Sequence, residues 1–135
     1  MAVYLSDRLV RGNIYTRAEL AEMLETRDAT INTGIFQPRG YDSMLLFVTE
    51  TKSSDTTQYL DHLDGDTLHW QGQLAGTKDV LIFSHERRGL ELLVFYRHSK
   101  RERPGGGFTY EGRFRYQSHA AGQPSNFVLE RITVT

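Results

Sequence analysis

The sequence predicts an α+β domain that is mainly β: a curved, mostly antiparallel sheet or partly open barrel with one or two short helices. Three observations carry that expectation. Two apolar runs, residues 44–48 and 90–96, are bounded by polar residues and read as central strands. Residues 108–116 alternate strictly in their second half, which is the period of a half-buried strand. Most segments between such runs are too short for the crossovers that parallel strands need.

The elements follow in order. Residues 1–15 mix Val3, Tyr4, Leu5, Leu9 and Val10 with charges and read as an extended or turn-like lead-in. Thr16-Arg-Ala-Glu19 is a capping box, and Leu20, Met23 and Leu24 follow at helical spacing, so a helix is expected over about 17–25. Ile35 and Phe36 form a brief strand between Gly34 and the Pro38-Arg39-Gly40 turn. The Asp64-Gly65 pair signals a hairpin turn, with residues 59–61 and 67–72 as its arms. Residues 80–83 look like a strand, whereas Ser84 to Gly89 looks like a helix end closing on glycine. Residues 99–107 are a basic, glycine-rich loop, the strand after it bends at Gly112, and 119–125 are another loop. A last strand lies within 126–135.

Bulk properties narrow the function. At 135 residues the chain suits one domain, 1–135, and its fifteen Phe, Trp and Tyr residues offset a modest apolar content of 39%. A formal charge of −1 argues against sequence-blind nucleic-acid binding but leaves room for a local basic patch. The absence of cysteine excludes disulfides and thiolate metal sites. The N-terminus has no signal-peptide core and no apolar run approaches a membrane span, so a cytoplasmic protein without membrane contact is expected. The five histidines show no ligand-pair spacing, and Ser84-His85 is no triad signature, so neither a metal, a cofactor nor an enzyme is expected.

Residues 57–73 stand apart. They place Tyr59, Asp61, His69, Trp70, Gln71 and Gln73 in one short stretch, with rings interleaved among hydrogen-bonding groups. That mixture suits a pocket for a planar polar ligand such as a nucleobase; it equally suits a hairpin with one buried and one wet face. Trp70 is either a pocket wall or a core anchor. Asp61 either reads an amino group or caps the turn. His69 and Trp70 cannot share one face of a regular strand, so His69 falls to a structural or phosphate-contact role. The basic candidates for a phosphate clamp are Arg97, Lys100, Arg101 and Arg103, with Arg113 and Arg115 nearby on the next strand. Arg87 with Arg88, and Arg39, are smaller candidates of the same kind; a solvated loop is the alternative for all of them. Should the stretch 57–73 not form the pocket, Phe36, Tyr41 and Tyr96 are the other aromatic candidates.

Six segments carry a resemblance: Tyr15-Thr-Arg-Ala-Glu-Leu20, Thr33-Gly-Ile-Phe36, Met44-Leu-Leu-Phe-Val-Thr-Glu50, residues 57–61 with Leu68-His-Trp-Gln-Gly-Gln73, Leu92-Leu-Val-Phe-Tyr-Arg97 and Tyr110-Glu-Gly-Arg-Phe114. Over about 15–133 the chain resembles the SRA-like domains of bacterial modification-dependent restriction proteins, within the PUA-like superfamily. It is also similar to the uncharacterised C-terminal domain of some bacterial superfamily-two helicases. The resemblance implies a PUA/SRA-like barrel that reads a modified base, 5-methylcytosine or 5-hydroxymethylcytosine, in double-stranded DNA. It implies an extruded base held by Tyr59, Asp61, Trp70 and Gln73, with His69 beside them. The loops that eukaryotic SRA readers insert into the duplex have no counterpart at matching spacing, which leaves extrusion open. A nuclease or helicase accompanies such domains, and here it is expected on a separate polypeptide. An RNA- or nucleotide-binding PUA-like domain is the alternative.

Overall fold

The computed structural model describes residues 3–27, 35–51, 62–71, 79–99, 104–120 and 126–132. The strands are β1 (Ile14–Tyr15), β2 (Ile35–Phe36), β3 (Ser43–Thr51), β4 (His62–Asp64), β5 (Thr67–Gln71), β6 (Glu91–Ser99), β7 (Phe108–Ala120) and β8 (Asn126–Arg131). The helices are α1 (Arg17–Met23) and α2 (Asp79–Phe83), with 3-10 turns at Leu5–Arg8 and Pro104–Gly106. All eight strands form one sheet in the order β2-β3-β6-β7-β8-β5-β4, with β1 paired to the start of β7. Every pairing is antiparallel except β3 with β6. That exception is possible because the whole of residues 52–90 lies between those two strands, ample for a crossover. The curved, mainly β architecture is as expected. Among the described residues no helix is long and apolar enough to cross a membrane.

α1 starts where the capping box places it: the Thr16 hydroxyl accepts from the Glu19 amide and the Glu19 carboxylate accepts from the Thr16 amide, both at 3.0 Å. It ends at Met23, and Glu25 turns the chain out with φ 53°. The β4–β5 hairpin forms about Gly65, whose φ of 60° fits the first central position of its turn. β7 bends as expected at Gly112, φ 101°, where Glu111 is the extra residue of a bulge: Val94 faces Gly112 while Phe95 faces Tyr110.

Two expectations need correction. Residues 80–83 are not a strand but part of α2. A four-residue apolar run has no readable period, and here tertiary packing decides, burying Ile82 against the sheet. The turn after it does close on Gly89, φ 71°. His119 and Ala120 are not loop but the end of β7, paired with Phe127 and Asn126. A second bulge at Gln117 carries the strand that far.

The two central strands bury both faces, which is why they read as unbroken apolar runs. Met44, Leu46, Val48, Leu92, Val94 and Tyr96 face one way and meet Leu68, Trp70, Phe127, Leu129 and Ile82. Leu45, Phe47, Leu93 and Phe95 face the other way and meet Leu5, Leu20, Phe108 and Tyr110. The first group requires strong curvature, since β8 and β5 fold over the β3–β6 face. Buried polar side chains are paired. Glu91 accepts from the Ser43 and Ser6 hydroxyls at 2.6 Å, tying the N-terminal segment to the sheet. The His85 ring takes the Tyr116 amide on Nε2 at 3.0 Å and meets the Leu90 carbonyl through Nδ1 at 2.8 Å, so its proton sits on Nδ1.

Candidate nucleic-acid interface

β5 divides the 57–73 stretch by strand alternation. Leu68 and Trp70 point into the curl of the sheet, and His69 points to solvent across from His62. Trp70 is only 5% exposed and packs at 5.8 Å, ring to ring, on Phe127. Its burial is that of a core anchor. Gln71 continues β5 opposite Asn126. Tyr59, Asp61 and Gln73 lie outside the described residues. The other aromatic set is not brought together. Phe36 belongs to the core under α1, Tyr96 to the core inside the curl, and the Tyr41 hydroxyl accepts from Arg8 at 2.7 Å.

The inner face of β3 and β6 changes character at one end. On β3 the row Met44, Leu46, Val48 continues to Glu50; on β6 the row Leu92, Val94, Tyr96 continues to His98. Parallel register puts Glu50 and His98 side by side, with His98 Nδ1 2.5 Å from Glu50 Oε2. The curl brings β4 to the same place, with His62 Nδ1 3.5 Å from Glu50 Oε1. The hydrogen bond from His98, then that from the Tyr96 hydroxyl, holds the Glu50 carboxyl below its ordinary range. Burial, and then the bond to Glu50, pushes the Tyr96 phenol up. The result is a polar mouth over a dry core, rimmed by the far ends of β3 and β6 and the start of β4. It can offer an acceptor and several donors to a planar ligand. Glu50 was not legible as a site residue: nothing in sequence joins it to His62 or His98 until register and curvature do.

The same end of the sheet carries two arginines on the outer face. Arg97, 7% exposed, lies 4.1 Å over the Phe108 ring and donates through Nε to the Thr49 hydroxyl at 2.9 Å and through its NH1 group to the Gly106 carbonyl at 2.8 Å. Gly105 and Gly106, both with positive φ, thus present a carbonyl to a cation instead of amides to a phosphate. Arg17, at the first position of α1, lies 4.7 Å over Phe47 and 5.0 Å over Phe108. Burial and the neighbouring Arg97 bring its guanidinium down to about 10. Lys100, Arg101 and Arg103 lie outside the described residues.

The remaining basic candidates do not join this pair. Arg87 and Arg88 sit in the turn after α2, on the inner-core side, and Arg88 Nε donates to Ser84 Oγ at 2.7 Å. Arg39 is exposed in the turn before β3, at the end of that strand opposite Thr49 and Glu50. Arg87 with Arg88, and Arg39, are thus spatially separate from Arg97, as their separate places in the sequence suggest. Among the described residues no cluster of His, Asp and Glu could hold a metal ion.

No curated protein matches the sequence. A solved structure titled "Modification dependent TagI restriction endonuclease" superposes with a TM-score of 0.51 at 19% identity, covering 91% of this chain and 50% of that one. The likeness is one of fold, and this chain spans half the length of that protein. A family model described as "Domain of unknown function (DUF3427)" matches residues 9–130, from the lead-in to β8, and the chain belongs to that family.

Proposed function

We propose that this chain is a DNA-binding module that reads a modified base, 5-methylcytosine or 5-hydroxymethylcytosine, in duplex DNA. The observation that carries the reading is the fold it shares, over nearly its whole length, with a modification-dependent restriction endonuclease. The polar mouth supports it. Its rim of Glu50, His62 and His98 offers hydrogen-bonding groups to the edge of a planar base, and Tyr59, Asp61 and Gln73 remain the sequence candidates for reading that base. Trp70 and Tyr96 would form the floor. Arg17, half-buried at the same end, would face the sugar-phosphate backbone, which positions a protein without reading sequence. In this reading the chain binds an extruded base and does not cut; cleavage or unwinding belongs to another module or polypeptide.

The test is a fluorescence-anisotropy titration of one duplex carrying cytosine, 5-methylcytosine, 5-hydroxymethylcytosine or N6-methyladenine, with matched RNA. One buried methyl is worth about 0.8 kcal/mol, so about fourfold preference for 5-methylcytosine is the minimum expected. Asp61→Asn should cost roughly 1–3 kcal/mol of the discrimination between the three cytosine duplexes and the N6-methyladenine duplex if the carboxylate accepts from the cytosine amino group. Equal affinity for all four duplexes sinks the reading, and tighter binding to RNA replaces it with RNA recognition.

A further inference from the structure

A second concavity lies at the other end of β6. It has a volume of about 620 Å³ and is lined by Tyr4, Asp7 and Arg11 from the lead-in, Gly112 and Arg113 from the β7 bulge, and Ile132 after β8, among others. Three segments are fixed to one another around it. The Gly12 amide donates to the Tyr110 carbonyl at 2.9 Å, the Tyr110 amide to the Asn13 carbonyl at 2.9 Å, and the Ile132 amide to the Arg113 carbonyl at 2.8 Å. The groove is thus built by the bulge and by the chain ends pinned to it. Its size falls in the range of roughly 300–1,000 Å³ usual for small-molecule sites.

The two arginines in it differ from the others nearby. Arg8, Arg88, Arg97 and Arg131 are each engaged by hydrogen bonds. Among the described residues neither the Arg11 nor the Arg113 guanidinium has a hydrogen bond or an ion pair. The Arg11 stem lies across Gly112, where a Cβ would sit 3.5 Å from its Cδ. The adjacent Arg113 lines the same space, so two unengaged guanidinium forks serve one groove. With Asp7 the local balance is one positive charge. Guanidinium forks match phosphate oxygens in pairs. Tyr4, 37% exposed with its hydroxyl 3.5 Å from the Gly89 carbonyl, offers a tethered aromatic face, and Asp7 offers an acceptor. A phosphate, a flat ring and a hydroxyl or amino donor together describe one nucleotide.

We infer that this groove binds a single nucleoside 5′-phosphate unit, its phosphate between Arg11 and Arg113 and its base against Tyr4. The unit is either a free nucleotide or one residue of a nucleic-acid strand. The inference stands apart from the modified-base reading, which concerns the opposite end of the sheet. The experiment titrates the full chain with deoxycytidine 5′-monophosphate, inorganic phosphate and an unmodified duplex, using the parent, the double variant R11Q/R113Q and Y4A. Thermal melting run in parallel confirms that each variant is folded. A free-nucleotide site predicts that the nucleotide binds more tightly than phosphate, and that R11Q/R113Q weakens it at least tenfold and Y4A severalfold. A strand-bound site predicts no binding of the free nucleotide, but a tenfold loss of duplex affinity in R11Q/R113Q and a severalfold loss in Y4A. Unchanged binding of all three probes by R11Q/R113Q, no binding of any probe by the parent, or phosphate binding as tight as the nucleotide overturns the inference. Loss of discrimination against the N6-methyladenine duplex in Asp61→Asn with these results unaltered keeps the two sites distinct.

Discussion

Replacing Arg131 by methionine should cost about 2–4 kcal/mol of stability. The figure follows from what the guanidinium touches. Arg131 is 8% exposed, at the end of β8. Nε donates to the Glu111 carbonyl at 3.0 Å and one NH2 group to Glu111 Oε1 at 2.8 Å; the other bonds the Gly65 carbonyl at 3.1 Å and the Asp66 carboxylate. The plane also lies 5.2 Å over Phe114. Asp66, with a side chain 57% exposed, and the exposed Gly65 regain water when the arginine goes, so they add little. Glu111 is different: its side chain is 20% exposed, and it would be left at the β7 bulge without its cation. Stranding such a group costs about 1–3 kcal/mol, and losing the ring contact adds about 1 kcal/mol. Urea unfolding followed by the fluorescence of Trp70 measures the loss. With a slope of about 1–3 kcal/mol per molar for a domain of this size, the midpoint should fall by about 1–2 M. The double variant E111M/R131M removes the stranded carboxylate, so it should lose less than the sum of the single losses. A single-variant loss under about 0.5 kcal/mol, or strict additivity in the double variant, refutes the reasoning.

Two further outcomes follow from other elements. Glu50 has a depressed carboxyl in the folded state, so its contribution is fully present above the unfolded carboxylate range and is lost as pH falls through the folded value. The stability gap between the parent and Glu50→Gln, measured by urea unfolding from pH 7 to pH 3, should therefore close on acidification; a gap independent of pH contradicts the hydrogen-bonding scheme. Trp70→Ala should cost about 3–5 kcal/mol as a core truncation, read by loss of thermal stability in circular dichroism, and a near-neutral result would take Trp70 out of the core.

What sequence could disclose was set by how local each signal is. α1 was legible because Thr16 and Glu19 are three residues apart and bond each other; β5 was legible because Leu68, His69 and Trp70 alternate beside a glycine turn. The parallel pairing of β3 with β6 was not, since an apolar run buried on both faces names no partner. α2 was missed because residues 80–83 carry no period of their own. The stacking of Arg17 on Phe47 and Phe108 joins a helix start to two strands far apart in sequence, so no pattern near Arg17 could announce it. The mouth is the strongest case: Glu50, His62 and His98 belong to three strands, and only parallel register and the curl of the sheet assemble them.

The geometry of β6 sets how the two candidate sites relate. The mouth lies where β6 ends, at His98, and the groove lies where it begins, since Tyr4 meets Gly89 and Ser6 meets Glu91. Glu91 and His98 are seven steps of extended chain apart, roughly 23 Å at about 3.3 Å each, and Gly112 on the groove wall pairs with Val94, four steps or roughly 13 Å from His98. Between them β6 is buried from Glu91 to Arg97 and is held on both sides, by β3 and β7. A strand so packed is a rigid spacer, and sites beyond about 10 Å without shared partners act additively. Substitutions at the mouth should then alter base preference, and substitutions in the groove should alter phosphate affinity, each without the other. Rigidity has a second consequence. A ligand at either site therefore meets a strand that does not move toward it.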